Sequence, residues 1–148
     1  YPWVGCGECR MCLDDGGARE PLCPRPQTLG VMHDGGFATH LLLKHSRYAV
    51  PTRGVPAAFA ATCACSGLTS YTALKRAGPI PDDMSIVFIG AGGVGLAAIT
   101  IFRAMNPTHP GPTVCDVDPR KLEAATRLGA SRTFLAADMC VYFFAHLC

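Results

Sequence analysis

The second half of this 148-residue sequence predicts an α/β fold built on a partial, doubly wound parallel sheet. The apolar run at residues 86–89 is typical of a short strand buried on both faces of such a sheet. A glycine-rich turn follows at Gly90, and residues 95–105 then have the spacing of a helix. The alternation continues with a strand around Val114, a helix over residues 119–128 and a strand beginning at residues 133–135. This order of elements is the pattern of a Rossmann-type sheet.

The first half differs in composition and predicts a loop-rich lobe followed by strands and a helix. Residues 1–35 are rich in Gly, Cys, Pro and Asp and have no helical period, so we expect loops there. Residues 37–50 alternate weakly between apolar and polar side chains, which predicts one or two strands. Residues 57–77 have a helical pattern that ends at Gly78.

Composition disfavours several classes of protein. Apolar residues make up 49% of the chain and charged residues 16%, which is typical of a globular protein rather than a disordered one. The net charge of +2 and the lack of any run of Lys or Arg disfavour nucleic acid and membrane surfaces as partners. No apolar stretch of the sequence approaches the roughly 20 residues that cross a bilayer. We therefore expect a soluble protein.

The sequence GAGGVG matches G-x-G-x-x-G directly after a predicted strand and at the start of a predicted helix. Gly90 permits the tight turn, Gly92 lets a pyrophosphate approach the backbone, and Gly95 lets the helix pack closely on the strand. Free amides at the positive end of the helix dipole then bind the pyrophosphate. The pattern alone is not specific, but in this position it predicts a dinucleotide-binding turn.

A carboxylate at the end of the second predicted strand supplies the second part of a dinucleotide site. Asp116 follows Gly90 at a spacing somewhat longer than the usual value of about 20 residues, and the loop at 106–112 accounts for the excess. Its carboxylate would accept hydrogen bonds from ribose hydroxyls and would repel a 2′-phosphate, which favours NAD over NADP. In the alternative interpretation, Asp116 or Asp118 only begins the turn before Pro119.

Nine cysteines are many for a chain of this length, and four of them have the spacing C-x2-C-x2-C-x10-C. These four are Cys6, Cys9, Cys12 and Cys23. An odd number of cysteines without a secretory leader disfavours a disulfide framework and predicts a reducing, cytoplasmic compartment. Four thiolates close a tetrahedral shell around zinc and leave no open position, which is typical of a structural site.

Two alternatives exist for the cysteine cluster. A redox motif would place its C-x-x-C beside a βαβ unit, whereas this one lies in a separate loop-rich lobe. A small zinc module that binds nucleic acid would carry basic and aromatic residues around the site. This lobe carries acidic residues instead, namely Glu8, Asp14, Asp15 and Glu20. The sequence therefore favours structural zinc.

Several ordered segments carry a resemblance to a known family. In chain order they are GCGECRMC with its later Cys, DGGFATH, CSGLTSYTALKRAG, IVFIGAGGVGLAA and CDVDPRKLEAATRLGA. In these segments the chain resembles the zinc-dependent alcohol dehydrogenases of the medium-chain dehydrogenase/reductase superfamily. The resemblance covers residues 1 to about 134.

The resemblance implies an oxidoreductase that transfers hydride between an alcohol and NAD, with zinc as the Lewis acid. It implies part of a β-rich, GroES-like catalytic domain with the zinc lobe over residues 1–66. Residues 67–148 would be part of an NAD-binding Rossmann domain. Partners implied for the complete protein are a small-molecule alcohol or aldehyde and further copies of the same chain, with no nucleic acid and no membrane.

The resemblance also assigns roles to individual residues. Cys65 matches the third protein ligand of the catalytic zinc, although a lone Cys at a helix start is more commonly a small buried hydrophobe. Cys63 matches no family role. The structural-zinc lobe matches Cys6, Cys9, Cys12 and Cys23, the pyrophosphate turn matches Gly90, Gly92, Gly93, Val94 and Gly95, and the ribose-binding acid matches Asp116.

The chain also departs from the family. The catalytic zinc of the family needs a Cys and a Gly-His-Glu upstream of the structural lobe, and neither precedes Cys6 here. We expect all five histidines to be solvated or at the edge of a core, and residues 136–148 do not align with the family. The ten-residue spacing before Cys23 is also longer than usual. We therefore expect an incomplete chain that is inactive alone, or else a non-catalytic protein that binds zinc and a nucleotide.

Overall fold

The computed structural model describes residues 1–17 and 19–136, in two compact units. The amino-terminal unit comprises residues 1–60, and the carboxy-terminal unit begins at Ala61. None of the helices in the described residues is long and apolar enough to cross a membrane. In chain order the helices and strands are α1 (Arg10–Leu13), α2 (Ala57–Thr62), α3 (Leu68–Ala77), β1 (Val87–Ile89), α4 (Gly93–Met105), β2 (Thr113–Asp116), α5 (Pro119–Arg127) and β3 (Arg132–Leu135).

Loops and single turns form most of the amino-terminal unit, as predicted for residues 1–35. The helix α1 is one turn long, and the remaining regular elements before α2 are 3₁₀ turns at Asp14–Gly17, Glu20–Leu22 and Ser46–Tyr48. Two backbone hydrogen bonds join the first residues to a later segment: Gln27 donates to Val4 over 2.7 Å and Leu29 donates to Pro2 over 3.1 Å. These bonds close the long loop that carries the four clustered cysteines.

The prediction of strands over residues 37–50 is wrong. The described backbone of this segment contains one 3₁₀ turn and no strand. A strand needs a neighbour to receive its hydrogen bonds, and the described part of this unit has only an isolated bridge between Leu29 and His33. Phe37 and Leu42 are exposed, so the weak alternation does not reflect a buried face. The β-rich character expected for the first domain is therefore not found in residues 1–17 and 19–60.

The helix predicted over residues 57–77 is confirmed, with a local irregularity in its middle. Between α2 and α3 the turn widens into a π-helical segment at Cys63–Gly67. Helix α3 ends at Ala77 because Gly78 has a φ of 78°, a left-handed conformation that glycine adopts without strain. Leu74 on this helix is buried, whereas Tyr71 from the same predicted face is 46% exposed.

The three strands form the parallel sheet that the sequence predicts, in the order β1-β2-β3. Phe88 of β1 is opposite Val114 of β2, and Val114 is in turn opposite Thr133 of β3. Helix α5 begins where predicted, because the Asp118 side chain accepts the amide of Arg120 at 2.9 Å. Alternating strands and helices therefore bring the carboxyl ends of β1 and β2 to one edge of the sheet.

The core of the carboxy-terminal unit lies between the sheet and the helices. Its buried residues are Ala91, Ile99, Val114, Leu122 and Ala125. The expectation that β1 is buried on both faces is wrong, because Val87 is 53% exposed and Ile89 is 83% exposed. Successive strand residues point to opposite faces, so Phe88 packs on the core while its two neighbours lie on the face that the described residues leave open at β1.

Helix α4 begins in close contact with the end of β1. A Cβ atom on Gly95 would lie well inside contact distance of the Gly90 carbonyl oxygen, so only glycine fits at this position. Gly90 has a φ of 96°, and its amide donates to the Cys115 carbonyl over 2.7 Å. A Cβ atom on Gly93 would meet only Ser66 Oγ, at an ordinary distance of 3.7 Å. The close approach of helix and strand therefore depends on Gly95 and not on Gly93.

Replacing Gly95 by Ala is expected to lower the free energy of unfolding by about 1–3 kcal/mol, because the new methyl group overlaps the Gly90 carbonyl. The matched substitution Gly93→Ala is expected to be neutral or slightly stabilising, because its methyl group has room and Ala has the higher helix propensity. Urea unfolding followed by circular dichroism measures both changes. Equal effects of the two substitutions would contradict this account of the turn.

Candidate functional site

The four clustered cysteines come from three short segments of the amino-terminal unit. Cys6 lies in the irregular segment before α1, Cys9 immediately precedes α1, and Cys12 lies within it. Cys23 follows the 3₁₀ turn at Glu20–Leu22. Cys9 and Cys12 are one helical turn apart. Cys6 and Cys23 come together because residues 27–29 are hydrogen-bonded to residues 2–4. Cys12 and Cys23 are buried, and the other two are partly buried.

The four sulfur atoms have the spacing of a tetrahedral zinc shell. The Sγ atom of Cys9 lies 3.5 Å from that of Cys12 and 3.7 Å from that of Cys23. Cys6 and Cys12 are 4.0 Å apart at sulfur, and all four sulfurs lie within 4.8 Å of one another. Zinc–sulfur bonds of about 2.3 Å in a tetrahedron require sulfur–sulfur distances of roughly 3.8 Å. The donor set and its geometry therefore fit a zinc ion held by four thiolates.

Hydrogen-bond donors surround this sulfur cluster. Cys23 Sγ accepts the amides of Cys6 at 3.4 Å and Arg25 at 3.3 Å, and the Arg25 guanidinium lies 3.6 Å from Cys6 Sγ. The backbone amide of Glu8 is the main cause that lowers the pKa of the Cys6 thiol to about 6. Burial raises the pKa of the Cys12 thiol to about 12. A divalent cation binds the thiolate form of cysteine, so metal binding at this cluster would be coupled to the loss of protons.

The glycine turn is open where a ligand would approach it. A Cβ atom on Gly92 would meet nothing within 4 Å, so the backbone at the start of α4 is accessible from outside. A groove of about 610 Å³ lies beside the turn, and it is lined by the turn itself, by β1 and by one side of α3. The first amides of a helix have no partner within the helix. They can therefore bind a pyrophosphate that enters this groove.

Asp116 lies at the end of β2 and holds the glycine turn directly. Its Oδ2 atom accepts the amide of Ala91 at 2.6 Å, and its Oδ1 atom accepts the amide of Asp118 at 2.9 Å. The Ala91 amide is the largest cause that lowers the pKa of this carboxyl, and Lys121 at 4.0 Å adds to the effect. Each oxygen keeps a second lone pair for a ribose hydroxyl. The sequence did not predict that this carboxylate also fixes the shape of the turn.

Cys65 lies exposed on the π-helical turn between α2 and α3, as does Cys63. Among the described residues, the four-cysteine cluster is the only group of three or more potential ligands, and Cys65 does not belong to it. The same turn adjoins the glycine turn, because Ser70 Oγ lies 2.8 Å from the carbonyl oxygens of both Ser66 and Val94. The structure therefore places Cys65 near the candidate cofactor turn but does not complete a second metal site around it.

Other polar residues differ in how far the sequence revealed them. The expectation that every histidine is solvated or at a core edge is wrong for His109, which is buried. Its Nε2 atom lies 2.9 Å from the Met84 carbonyl, and its Nδ1 atom accepts the Gly111 amide at 3.0 Å, so both ring nitrogens have hydrogen-bond partners. His33, His40 and His45 are exposed, and His146 lies outside the described residues, as does most of the unaligned tail. Glu20 and Ser70 were not identified as important from the sequence. A helix places side chains four residues apart on one face, and this spacing relates Ser70 to Ser66 and Leu74. The sequence gives no stronger indication of a role for Ser70.

Comparisons with known proteins show the same relationship in sequence and in structure. No protein-family model matches the chain. The NAD-dependent alcohol dehydrogenase of Sulfurisphaera tokodaii is 38% identical over 93% of this chain, which corresponds to 38% of that relative. The D-arabinose dehydrogenase of Sulfolobus solfataricus superposes with a TM-score of 0.82 and 25% identity, over 99% of this chain and 45% of that one.

The alcohol dehydrogenase of Aeropyrum pernix superposes on the same extent of this chain, 99%, with a TM-score of 0.68 and 27% identity, and the match covers 42% of that protein. The chain thus spans less than half the length of each of these relatives. Sequence identity and structural superposition extend through both the cysteine lobe and the three-stranded sheet. The chain belongs to the alcohol dehydrogenase family of the medium-chain dehydrogenase/reductase superfamily.

Proposed function

We propose that this chain supplies the structural-zinc lobe and the pyrophosphate-binding turn of an NAD-dependent alcohol dehydrogenase. In the complete reaction the carbinol carbon gives a hydride to NAD⁺ and the hydroxyl gives up a proton, which leaves an aldehyde or a ketone. The observation that carries the proposal is the hydrogen bond between Asp116 and Ala91, because it brings a ribose-binding acid and the glycine turn together at the sheet edge. Residues 1–66 would belong to the GroES-like catalytic domain and residues 67–148 to the Rossmann domain.

The proposed cofactor site uses the first turn of α4 and the end of β2. The turn formed by Gly90, Gly92, Gly93, Val94 and Gly95 would bind the pyrophosphate of NAD, with the amides at the start of α4 as donors. Asp116 would accept the ribose hydroxyls through its remaining lone pairs. A buried carboxylate that is ionised at neutral pH repels the 2′-phosphate of NADP, which supports the choice of NAD. When bound, NAD provides the carbon that accepts the hydride.

Two kinds of zinc site have different roles in the proposal. Cys6, Cys9, Cys12 and Cys23 would hold a zinc ion with no open coordination position, so this ion stabilises the lobe and takes no part in the chemistry. Cys65 would be one of three protein ligands of a second zinc in the complete enzyme, where the metal acts as a Lewis acid on the alcohol oxygen. A small-molecule alcohol or aldehyde is the proposed substrate.

The purified chain is expected to contain one zinc ion, and Cys12→Ser is expected to lose it. The substitution removes one of four thiolates and opens the shell to water. Elemental analysis after gel filtration measures the zinc content of each protein. The control Cys63→Ser changes an exposed cysteine outside the cluster and is expected to keep one zinc per chain. Retention of a full equivalent by Cys12→Ser would contradict the four-thiolate site.

Asp116 is expected to determine the preference for NADH over NADPH. Asp116→Asn keeps an oxygen acceptor for the Ala91 amide but removes the charge, so NADPH binding should improve about tenfold relative to NADH, or about 1.4 kcal/mol. Asp116→Ala also removes the acceptor, so both cofactors should bind more weakly. Fluorescence titration of the chain with each reduced cofactor gives the two dissociation constants.

The control for this series is Glu123→Gln, which neutralises an exposed carboxylate on α5 and should leave both constants unchanged. If the ratio of the two dissociation constants is the same for Asp116→Asn as for the control, Asp116 does not determine the preference between NADH and NADPH.

The 148-residue chain alone is expected to oxidise no alcohol. A catalytic zinc needs three protein ligands, and Cys65 supplies only one. Formation of NADH from a panel of primary and secondary alcohols is followed by absorbance, with zinc and NAD⁺ in excess and a complete relative as the positive control. NADH formation by the chain above a heat-denatured blank would refute the expected inactivity.

A further inference from the structure

Glu20 is a buried carboxylate for which the proposed function provides no role. Its side chain is only 6% exposed. One oxygen, Oε1, accepts the Gly5 amide at 2.9 Å and the Tyr48 hydroxyl at 2.5 Å, and it lies 3.1 Å from Arg47 Nη2. Burying a carboxylate costs several kcal/mol unless it is paired and hydrogen-bonded. Three converging donors at one oxygen compensate that cost, so this carboxylate is held in one specific position.

Glu20 contacts both chain segments that carry the outer cysteines of the cluster. The amide that it accepts belongs to Gly5, the residue before Cys6, and its own carbonyl accepts the Cys23 amide at 3.0 Å. A Cβ atom on Gly5 would lie 2.7 Å from Glu20 Cγ and 2.5 Å from Cys12 Sγ. The stem of the glutamate therefore packs directly behind the sulfur cluster, and Gly5 has no room for a side chain.

The other side of the carboxylate is held by the turn at Ser46–Tyr48. Arg47 Nη2 donates to the Tyr48 hydroxyl over 2.6 Å, and the guanidinium lies 4.8 Å from the centre of the Tyr48 ring. Tyr48 is buried, and the ring of Tyr1 stacks on it at 6.5 Å. Glu20 thus connects the cysteine loop to the stacked rings of Tyr48 and Tyr1 within the same unit.

We propose that Glu20 is a positioning residue for the four-cysteine metal site and holds Cys6 and Cys23 at the spacing that a tetrahedral ion requires. The inference rests on the proposed structural-zinc role of this lobe. Sulfurs that are already close to the required spacing lose less conformational freedom when the ion binds, so the ion is held more tightly. Without the carboxylate, the Gly5 amide and the Tyr48 hydroxyl lose their common acceptor, and the segment that carries Cys6 loses its fixed position.

The test measures the rate at which zinc passes from the folded chain to a chromophoric chelator. Glu20→Ala is expected to release zinc about 10–100 times faster than the unsubstituted chain, the range found for groups that orient metal ligands. Asp34→Ala removes an exposed carboxylate from the same unit, away from the sulfur cluster, so the rate should change by less than about twofold. The Co²⁺-loaded proteins provide a second readout, since the thiolate-to-metal and ligand-field bands report tetrahedral sulfur coordination.

Two further variants separate metal positioning from general instability. Tyr48→Phe keeps the stacked ring and removes one donor to Glu20, so it should also accelerate zinc release, but less than Glu20→Ala does. This variant keeps the inference testable even if Glu20→Ala does not fold. Ile99→Val lies in the other unit and should cost about 1 kcal/mol of stability without changing the rate of zinc release.

The outcomes distinguish this inference from the function on which it rests. If the unsubstituted chain holds no zinc after purification with the metal, the structural-zinc role and the positioning role both fail. If it holds zinc and both Glu20→Ala and Tyr48→Phe release the ion as slowly as Asp34→Ala, only the positioning role of Glu20 is overturned.

Discussion

The carbonyl oxygen of Gly90 lies where a side chain on Gly95 would begin, and the packing of the carboxy-terminal unit depends on this close approach. It lets α4 start directly at the end of β1, so that Ile99 and Phe102 of the helix reach the core. The start of α4 lies beside an open groove that Gly92 and Gly93 help to line. A packing requirement and a binding requirement are thus met by one small residue.

Asp116 adds a second constraint at the same edge of the sheet. Its carboxylate accepts two backbone amides, one from the glycine turn and one from the residue that caps α5. Such charge-assisted bonds to a nearly buried acid are stronger than those between neutral groups. The shape of the glycine turn is therefore set by the next strand along the sheet, and Asp116 cannot be removed without disturbing the turn.

The amino-terminal unit is organised in a different way. Few of its apolar side chains are buried, and Phe37 and Leu42 are among those that are exposed. Its described residues are held instead by the sulfur cluster, by the carboxylate of Glu20 and by backbone hydrogen bonds between residues 2–4 and residues 27–29. Small units with little apolar core commonly depend on a metal or on disulfides. A four-thiolate zinc ion would provide that stabilisation here.

The amino-acid sequence alone determined the order of elements in the second half, the glycine turn, the acid at the end of β2 and the cysteine spacing. Each of these is a local pattern, because helix period, turn glycines and ligand spacing are set by residues close together in the chain. Only the tertiary structure showed that residues 37–50 form no strand and that β1 is open on one face. A strand needs a neighbouring strand for its hydrogen bonds, and a buried sheet face needs an element packed on it. The roles of Glu20 and Asp116 as hydrogen-bond centres were also invisible in the sequence. Their partners are 15 and 25 positions away in the chain, and only folding brings those amides to the carboxylates.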